Sequence, residues 1–119
     1  MRAIVSKVMD GGYTMTYETE IKNFTDYYKH LECDCFDIVS IDYKQHRLSM
    51  FVDDEGMLKP NNYGRIIHGY ETQPLFGNIV VLGDVDDEGN TMGCPESISI
   101  NDVHKMISVP CYITKETEL

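Results

Sequence analysis

The pentapeptide VDDEG occurs twice in this chain, at Val52–Gly56 and at Val85–Gly89, and each copy directly follows an apolar run. Strand-forming residues that stop at a cluster of acidic residues and a glycine are typical of a tight turn in a sheet. Asp and Glu are tolerated in turns, and glycine supplies the positive φ angle that closes a hairpin. We therefore predict two glycine-closed turns between strands, with carboxylates that remain hydrated.

Two chemical alternatives exist for these acidic residues. Counted from Asp84, an EF-hand calcium loop would have ligands at Asp84, Asp86 and Glu88 and its glycine at Gly89, but Pro95 occupies the position of the bidentate glutamate. The paired aspartates could instead form the acid–base pair of a metal-dependent hydrolase, although no candidate nucleophile lies beside either copy. The sequence therefore predicts no metal, no cofactor and no catalytic residue, and hydrolysis remains an alternative.

Apolar patterning predicts one α+β domain over residues 1–119. Alternation and apolar runs predict strands over residues 2–9, 13–20, 35–42, 47–52 and 76–84, and a last edge strand over 109–114. Capping signals at Asn23 and Ser99 begin two short helices. The apolar stripes expected to be buried are Phe24, Tyr27, Tyr28 and Leu31 in the first helix, and Ile100, Val103, Met106 and Ile107 in the second. The predicted fold is a mixed, mostly antiparallel sheet of about five or six strands with two short helices packed on it.

The stretch from Pro60 to Pro74 fits no element cleanly, and a helical turn over residues 63–68 is one interpretation. Long loops of this kind are often functional. Basic side chains near it can pair with phosphate, and its tyrosines can stack on a base. The candidate ligand-binding residues are Arg47, Lys59, Asn62, Tyr63, Arg65, His68 and Tyr70. The alternative is that they are the ordinary solvated side chains of a long loop.

The charge of the chain restricts its partners. Ten basic against twenty acidic residues give a formal charge of −10, which disfavours direct binding to a nucleic-acid backbone and suits a basic protein partner. The second acidic turn is the candidate partner surface, with the residues Asp84, Asp86, Asp87 and Glu88.

The expected location of the chain follows from its first residues and its cysteines. The first residues do not resemble a secretory signal, and no apolar stretch reaches the roughly 20 residues that cross a bilayer. The four cysteines lack zinc-finger spacing and are expected to be reduced thiols. We therefore expect a cytoplasmic protein without a membrane partner.

The segments YYKHLECDCFDIV, DDEGMLKPN, LFGNIVVLGDVDDEG and SINDV follow one another in this order. Through HLECD, DDEGMLK and the LFGN that precedes the second DDEG, the chain resembles a family of small uncharacterised proteins encoded by phages and mobile elements of Gram-positive, often gut, bacteria. The resemblance covers residues 13–107. It implies an accessory, counter-defence setting in the cytoplasm of a bacterial host cell and supplies no active site.

The functional hypothesis is that of a non-enzymatic protein that acts by stoichiometric binding. We expect it to sequester a small nucleotide-type immune signalling molecule, in a pocket formed more easily between the subunits of a homo-oligomer. The alternative is an acidic inhibitor that mimics nucleic acid and binds a host nuclease or CRISPR effector. A hydrolase that uses the paired aspartates is a further alternative.

Overall fold

A five-stranded sheet organises the chain, and its middle strand β7 lies between β1 and β4. The computed structural model describes residues 1–56 and 63–107. The elements are β1 Arg2–Val8, β2 Thr14–Glu20, α1 Phe24–Leu31, β3 Phe36–Tyr43, β4 His46–Asp53, β5 Gly64–Ile67, β6 Tyr70–Phe76, β7 Ile79–Leu82 and α2 Ile100–Met106. The sheet order is β2-β1-β7-β4-β3, and β5 and β6 form a separate pair. The predicted α+β class with two short helices is confirmed. Every described strand pair is antiparallel, so the sheet is not mixed.

Strand β7 is central because all four of its side chains are apolar and buried. Strand β1 pairs with one edge of β7 and β4 pairs with the other, so that Val5 and Phe51 lie opposite Val80 on its two sides. The strand predicted over residues 76–84 is therefore shorter than expected at both ends. Phe76 ends the preceding strand β6, and Gly77, with a φ angle of +89°, separates the two strands.

The sheet is covered on both faces, and alternate strand residues supply two cores. Helix α1 packs on one face, where Val80 and Leu82 of β7 join Tyr27 and Leu31. Helix α2 and the β5–β6 pair cover the opposite face, where the core contains Ile79, Val81, Ile67, Leu75, Val103 and Met106. A large apolar area is therefore buried on each side, and this burial is the main stabilising contribution.

The stretch predicted as a long loop from Pro60 to Pro74 contains the hairpin of β5 and β6, and the predicted helical turn is wrong. The turn is formed by His68 and Gly69, and Gly69 has a φ angle of +94°. The strand pairing shifts register between Arg65 and Ile67, opposite Pro74. Because proline has no N–H to donate, the ladder is interrupted there and the sequence pattern is not regular. The strand predicted over residues 109–114 lies outside the described residues.

The two acidic pentapeptides have different structures. In the second copy Gly89 has a φ angle of +85°, and the Asp86 carboxylate accepts hydrogen bonds from the N–H groups of Glu88 and Asn90, both at 2.9 Å. This copy is the predicted turn. Gly56 of the first copy has no positive φ angle, and the strand that follows it pairs with β6, so the predicted hairpin there is wrong. Gly56 is instead needed for close packing, because a Cβ atom would lie 2.7 Å from the carbonyl oxygen of Phe76.

A polar cluster attaches helix α2 to the turn between β3 and β4. Lys44 and Gln45 of this turn have φ angles of 49° and 66°. The Lys44 Nζ donates to Asp102 Oδ1 at 2.7 Å, the Tyr43 hydroxyl donates to the same oxygen at 3.2 Å, and the Ser99 N–H donates to Oδ2 at 2.8 Å. The hydrogen bond from Lys44, with those from Ser99 and Tyr43, holds the pKa of Asp102 well below its usual value.

Substitutions at Gly89 and Gly56 should show that Gly89 is required for its backbone conformation and Gly56 for close packing. Gly89→Ala should lower the free energy of unfolding by about 1–2 kcal/mol, and Gly89→Asn by less, because asparagine tolerates a left-handed backbone. Gly56→Ala should lower it by about 1–3 kcal/mol, and Gly56→Asn by at least as much, because any Cβ meets the backbone. Urea unfolding measures all four variants. Recovery of stability in Gly56→Asn relative to Gly56→Ala would contradict the packing role.

Acid should weaken the attachment of α2. A carboxyl group with a folded pKa below its unfolded pKa contributes stability above the unfolded value, and this contribution is lost as the pH falls through the folded pKa. We expect the free energy of unfolding of the unmodified protein to fall more steeply below about pH 5 than that of Asp102→Asn. Asp10→Asn, at an exposed turn, is the control and should retain the steep dependence. Equal slopes for all three proteins would contradict the role of Asp102.

Candidate functional site

The aromatic cleft is the larger of two clefts beside the edge strand β3, with a volume of about 440 Å³. It lies between α1, the β3–β4 edge of the sheet and the second acidic turn. Its lining residues are Met1, Ile21, Lys22, Asn23, Phe24, Tyr27, Phe36, Ile38, Phe51, Gly89, Asn90 and Thr91. Pockets for small ligands typically measure about 300–1,000 Å³ and have apolar and aromatic walls.

Stacked aromatic rings form the floor of this cleft. The rings of Tyr27 and Phe51 are nearly parallel, with centroids 4.5 Å apart, and Phe36 contacts both at 5.4 and 5.3 Å. Tyr27 and Phe51 are almost fully buried. The floor therefore belongs to the core between α1 and the sheet, and it is a rigid surface against which a ligand or partner can pack.

Exposed apolar side chains surround this floor. Phe24 is 70% exposed, Ile38 is 47% exposed and Met1 is 41% exposed. The predicted buried stripe of α1 is therefore only half correct, since Tyr27 and Leu31 are buried whereas Phe24 and Tyr28 are exposed. Ile100 of α2 is likewise exposed. Contiguous exposed apolar groups beside a cleft are typical of an interaction site.

The polar groups that the cleft offers to a ligand are side chains, because backbone N–H groups at the start of α1 already donate hydrogen bonds. At the start of α1, the Asn23 side chain accepts from Thr25 N–H at 3.1 Å, and the Asp26 carboxylate accepts from Asn23 N–H at 3.2 Å and from Lys22 N–H at 2.7 Å. This capping box satisfies backbone donors that an anion would otherwise use. The positive charges among the described lining residues are those of Lys22 and of the Met1 ammonium group, which donates to the Ile21 carbonyl oxygen at 2.9 Å.

Gly89, the last residue of the second acidic turn, lines the aromatic cleft together with the following Asn90 and Thr91. Asp86, Asp87 and Glu88 are exposed, and Asp84 is partly exposed. Hydrogen bonds from backbone N–H groups, the largest from Asn90, lower the pKa of Asp86 and help to hold the turn. The four predicted acidic residues therefore lie in one turn beside an apolar cleft.

The acidic cleft lies on the opposite face of the β3–β4 edge and has a volume of about 200 Å³. Its lining residues are Asp37, Val39, Val52, Asp53, Asp54, Tyr70, Gln73, Pro74, Leu75 and Phe76. Three carboxylates and no basic side chain are among the lining residues that the structure describes. Nevertheless, no group of three or more His, Cys, Asp or Glu side chains in the described ranges is arranged to hold a metal ion.

Arg65 is not available to a ligand, in contrast to the prediction. It is 1% exposed and donates to the carbonyl oxygens of Ser6 at 3.3 Å and Gly77 at 3.2 Å, and also to the Ser6 hydroxyl. Burial lowers the pKa of its guanidinium to about 10. Its observed role is to fix β5 against β1 and the residues before β7.

The other predicted ligand residues are dispersed. Tyr70 lines the acidic cleft, and Arg47 forms an ion pair with Asp42 at 3.7 Å. Tyr63 is partly buried, and His68 is exposed in the β5–β6 turn. Of the five predicted residues that the structure describes, Tyr70 alone lines either of the two clefts.

Lys59 and Asn62 lie outside the described residues. Sequence reasoning missed the residues that form the aromatic cleft, chiefly Lys22, Phe36 and Ile38. The available signal was Ile38 of β3, an apolar residue that shares a strand face with Phe36 and with the polar residues Ser40 and Asp42. Its position at a sheet edge depends on the strand order, which the local pattern does not give.

The described cysteines are free thiols: Cys33 and Cys94 are buried and Cys35 is exposed. Burial raises the pKa of the Cys94 thiol. In the described part of the chain no helix is long and apolar enough to cross a membrane.

A family model described as Domain of unknown function (DUF3846) matches residues 1–108. No curated protein matches the chain. No solved structure matches it either.

Two substitutions should distinguish the exposed rim of the aromatic cleft from its floor. Phe24→Ser should change the free energy of unfolding by no more than about 0.5 kcal/mol, because this side chain is mostly hydrated already. Tyr27→Ala should lower it by about 3–5 kcal/mol through loss of a buried ring. Chemical unfolding of both variants tests this difference. A large destabilisation by Phe24→Ser would show that the rim is part of the core.

Proposed function

Since the chain belongs to the DUF3846 family of domains of unknown function, we propose its function from its surface: it is a non-enzymatic protein that binds a basic protein partner. The partner docks an apolar side chain in the aromatic cleft and places positive charges against the second acidic turn. The observation that carries this proposal is the position of that turn. Its last residue, Gly89, lines a cleft rimmed by exposed apolar side chains, and its exposed carboxylates directly precede Gly89 in the chain.

The apolar part of this surface resembles the centre of a protein interface. Protein interfaces combine a few buried aromatic or aliphatic anchors with a polar rim. Phe24 is exposed by 70% in the isolated chain and would become buried on docking. The rigid floor below it reduces the entropy that ordering would cost.

The charged part of the surface supports a basic partner. The formal charge of the chain is −10, and Asp87 and Glu88 are exposed beside the cleft. Opposite charges accelerate encounter and orient the partners, and their effect falls as salt rises. A partner with a phosphate-binding groove has the required positive surface, so the partner class is a nucleic-acid-binding protein such as a nuclease.

We also propose the biological setting of a phage or mobile-element accessory protein that counteracts a host defence. The resemblance in HLECD, DDEGMLK and LFGN supports this setting. A stoichiometric inhibitor that occupies the phosphate-binding groove of a defence nuclease is consistent with both the setting and the surface.

Sequestration of a nucleotide-type signal is a second candidate, favoured by the volume of about 440 Å³ and the aromatic rings of the aromatic cleft. A base could stack on these rings, and Lys22 could pair with a phosphate. It ranks second because the adjacent carboxylates repel phosphates and because Arg65 is buried.

The second candidate has a direct test by thermal unfolding. A panel of cyclic and ADP-ribose-type nucleotides should raise the melting temperature of the protein, less so for Phe24→Ser, and heating should release the nucleotide intact. An unchanged melting temperature across the panel would contradict sequestration.

If the chain binds a basic protein partner, affinity capture should identify that partner. The purified partner should then form a complex with the chain. Calorimetry should give one partner per chain, and Phe24→Ser should weaken binding by about tenfold or more, a change of about 1.4 kcal/mol. The double variant Asp87→Asn/Glu88→Gln should reduce both the affinity and its dependence on salt.

Matched controls make this test specific. Phe24→Tyr keeps the ring and should retain affinity, and Asp10→Asn/Glu20→Gln changes the net charge equally at exposed positions outside the cleft lining. Equal effects of the two charge variants would indicate only a general attraction. Full affinity in Phe24→Ser would contradict docking at the aromatic cleft.

A further inference from the structure

Strand β3 presents a long outer edge. It is the last strand of the sheet order, and all eight of its residues pair with β4 on the inner side. Among the described residues no strand pairs with its outer side. Such an edge carries backbone N–H and C=O groups that can pair with another chain.

The register identifies which backbone groups face outward. Asp54 N–H donates to the carbonyl oxygen of Cys35, so this pair is hydrogen-bonded. Hydrogen-bonded pairs alternate along antiparallel strands, so residues 37, 39 and 41 also bond to β4 and residues 36, 38, 40 and 42 face outward. The N–H of Ile38 is consistent with this, since it donates to the Asp37 carboxylate at 2.8 Å and not to β4.

The two clefts lie on opposite faces of this edge. Phe36 and Ile38 line the aromatic cleft, whereas Asp37 and Val39 line the acidic cleft. Successive side chains of a strand point to opposite faces of its sheet. A strand added along β3 would therefore direct alternate side chains toward the aromatic cleft and toward the acidic cleft.

The side chains that line the two clefts indicate which residues the added strand would carry. The aromatic cleft suits aromatic or aliphatic side chains, and the carboxylates of Asp37 and Asp54 in the acidic cleft suit basic ones. A second copy of this chain fits poorly, because each copy has a formal charge of −10 and its β3 strand has no basic side chain to place in the acidic cleft.

We propose that the partner binds by adding an extended segment of alternating apolar and basic residues as a strand on the outer edge of β3. Backbone hydrogen bonds to residues 38, 40 and 42 supply affinity, and the two clefts supply specificity. This inference rests on the proposed binding of a basic protein partner and specifies how that partner is recognised.

The probe is a short fluorescein-labelled peptide in which lysine and phenylalanine alternate. The control peptide has the same composition in two blocks, and a third peptide carries N-methyl groups on alternate residues. Fluorescence anisotropy with the full chain at low and high salt should show the alternating peptide binding about tenfold more tightly than the other two. Their charge is the same, so the difference reports strand pairing.

A proline on the outer edge tests the site in the protein itself. Ser40→Pro removes an N–H that faces away from β4, and proline is tolerated at such edge positions. It should weaken binding of the alternating peptide by about tenfold, whereas Ser40→Ala should bind as the unmodified protein does. The N-methylated peptide tests the same hydrogen bonds with an unmodified protein if Ser40→Pro does not fold.

Each remaining outcome overturns a defined part of the account. Equal affinity for the alternating and block peptides overturns strand addition but leaves docking of a basic partner intact. If none of the cationic peptides binds at low salt, both strand addition and the docking of a basic partner are overturned. A concentration-dependent dimer in sedimentation that Ser40→Pro disrupts would assign the edge to a second copy and overturn the peptide proposal.

Discussion

The pairing of β7 with another strand on each of its two edges determines the rest of this structure. With β1 on one side and β4 on the other, the four buried residues of β7 place the longer strands β2 and β3 at the two margins of the sheet. Helix α1 covers one face, and the β5–β6 hairpin with α2 covers the other. Neither layer extends fully over β3, and the two clefts are the spaces that remain at this margin.

Buried polar groups fix the covering layers in position. Arg65 reaches from β5 into the interior, where its guanidinium bonds to Ser6 and Gly77 and its Nε has no hydrogen-bond partner among the described residues. Burial of a charge is expensive, so this contact favours one orientation of the hairpin more than it adds stability. Asp102 fixes α2 to the β3–β4 turn in a comparable way, and here a lysine compensates the charge.

The sequence predicted the parts of this fold that local patterns determine. The strand pairs, both capping boxes and the turn at Gly89 depend on short-range periodicity and on residues that satisfy nearby backbone groups. The β5–β6 hairpin did not follow from the pattern because Pro74 interrupts its ladder. The interior position of Arg65 and the exposure of Phe24 depend on which elements pack against them, which a single sequence does not encode locally. For the same reason Tyr63, Arg65, His68 and Tyr70, the predicted ligand residues of this stretch that the structure describes, are not gathered in either cleft.

The central claim is that the outer edge of β3, with a cleft on each face, is the binding surface of this protein. Amide hydrogen exchange measured by NMR, with and without the alternating lysine–phenylalanine peptide, tests it residue by residue. The account predicts that the amides of Ser40 and Asp42 become slow to exchange on binding, whereas those of Val39 and Ile41, which already bond to β4, change little. Bound peptide without new protection at Ser40 and Asp42 would contradict it.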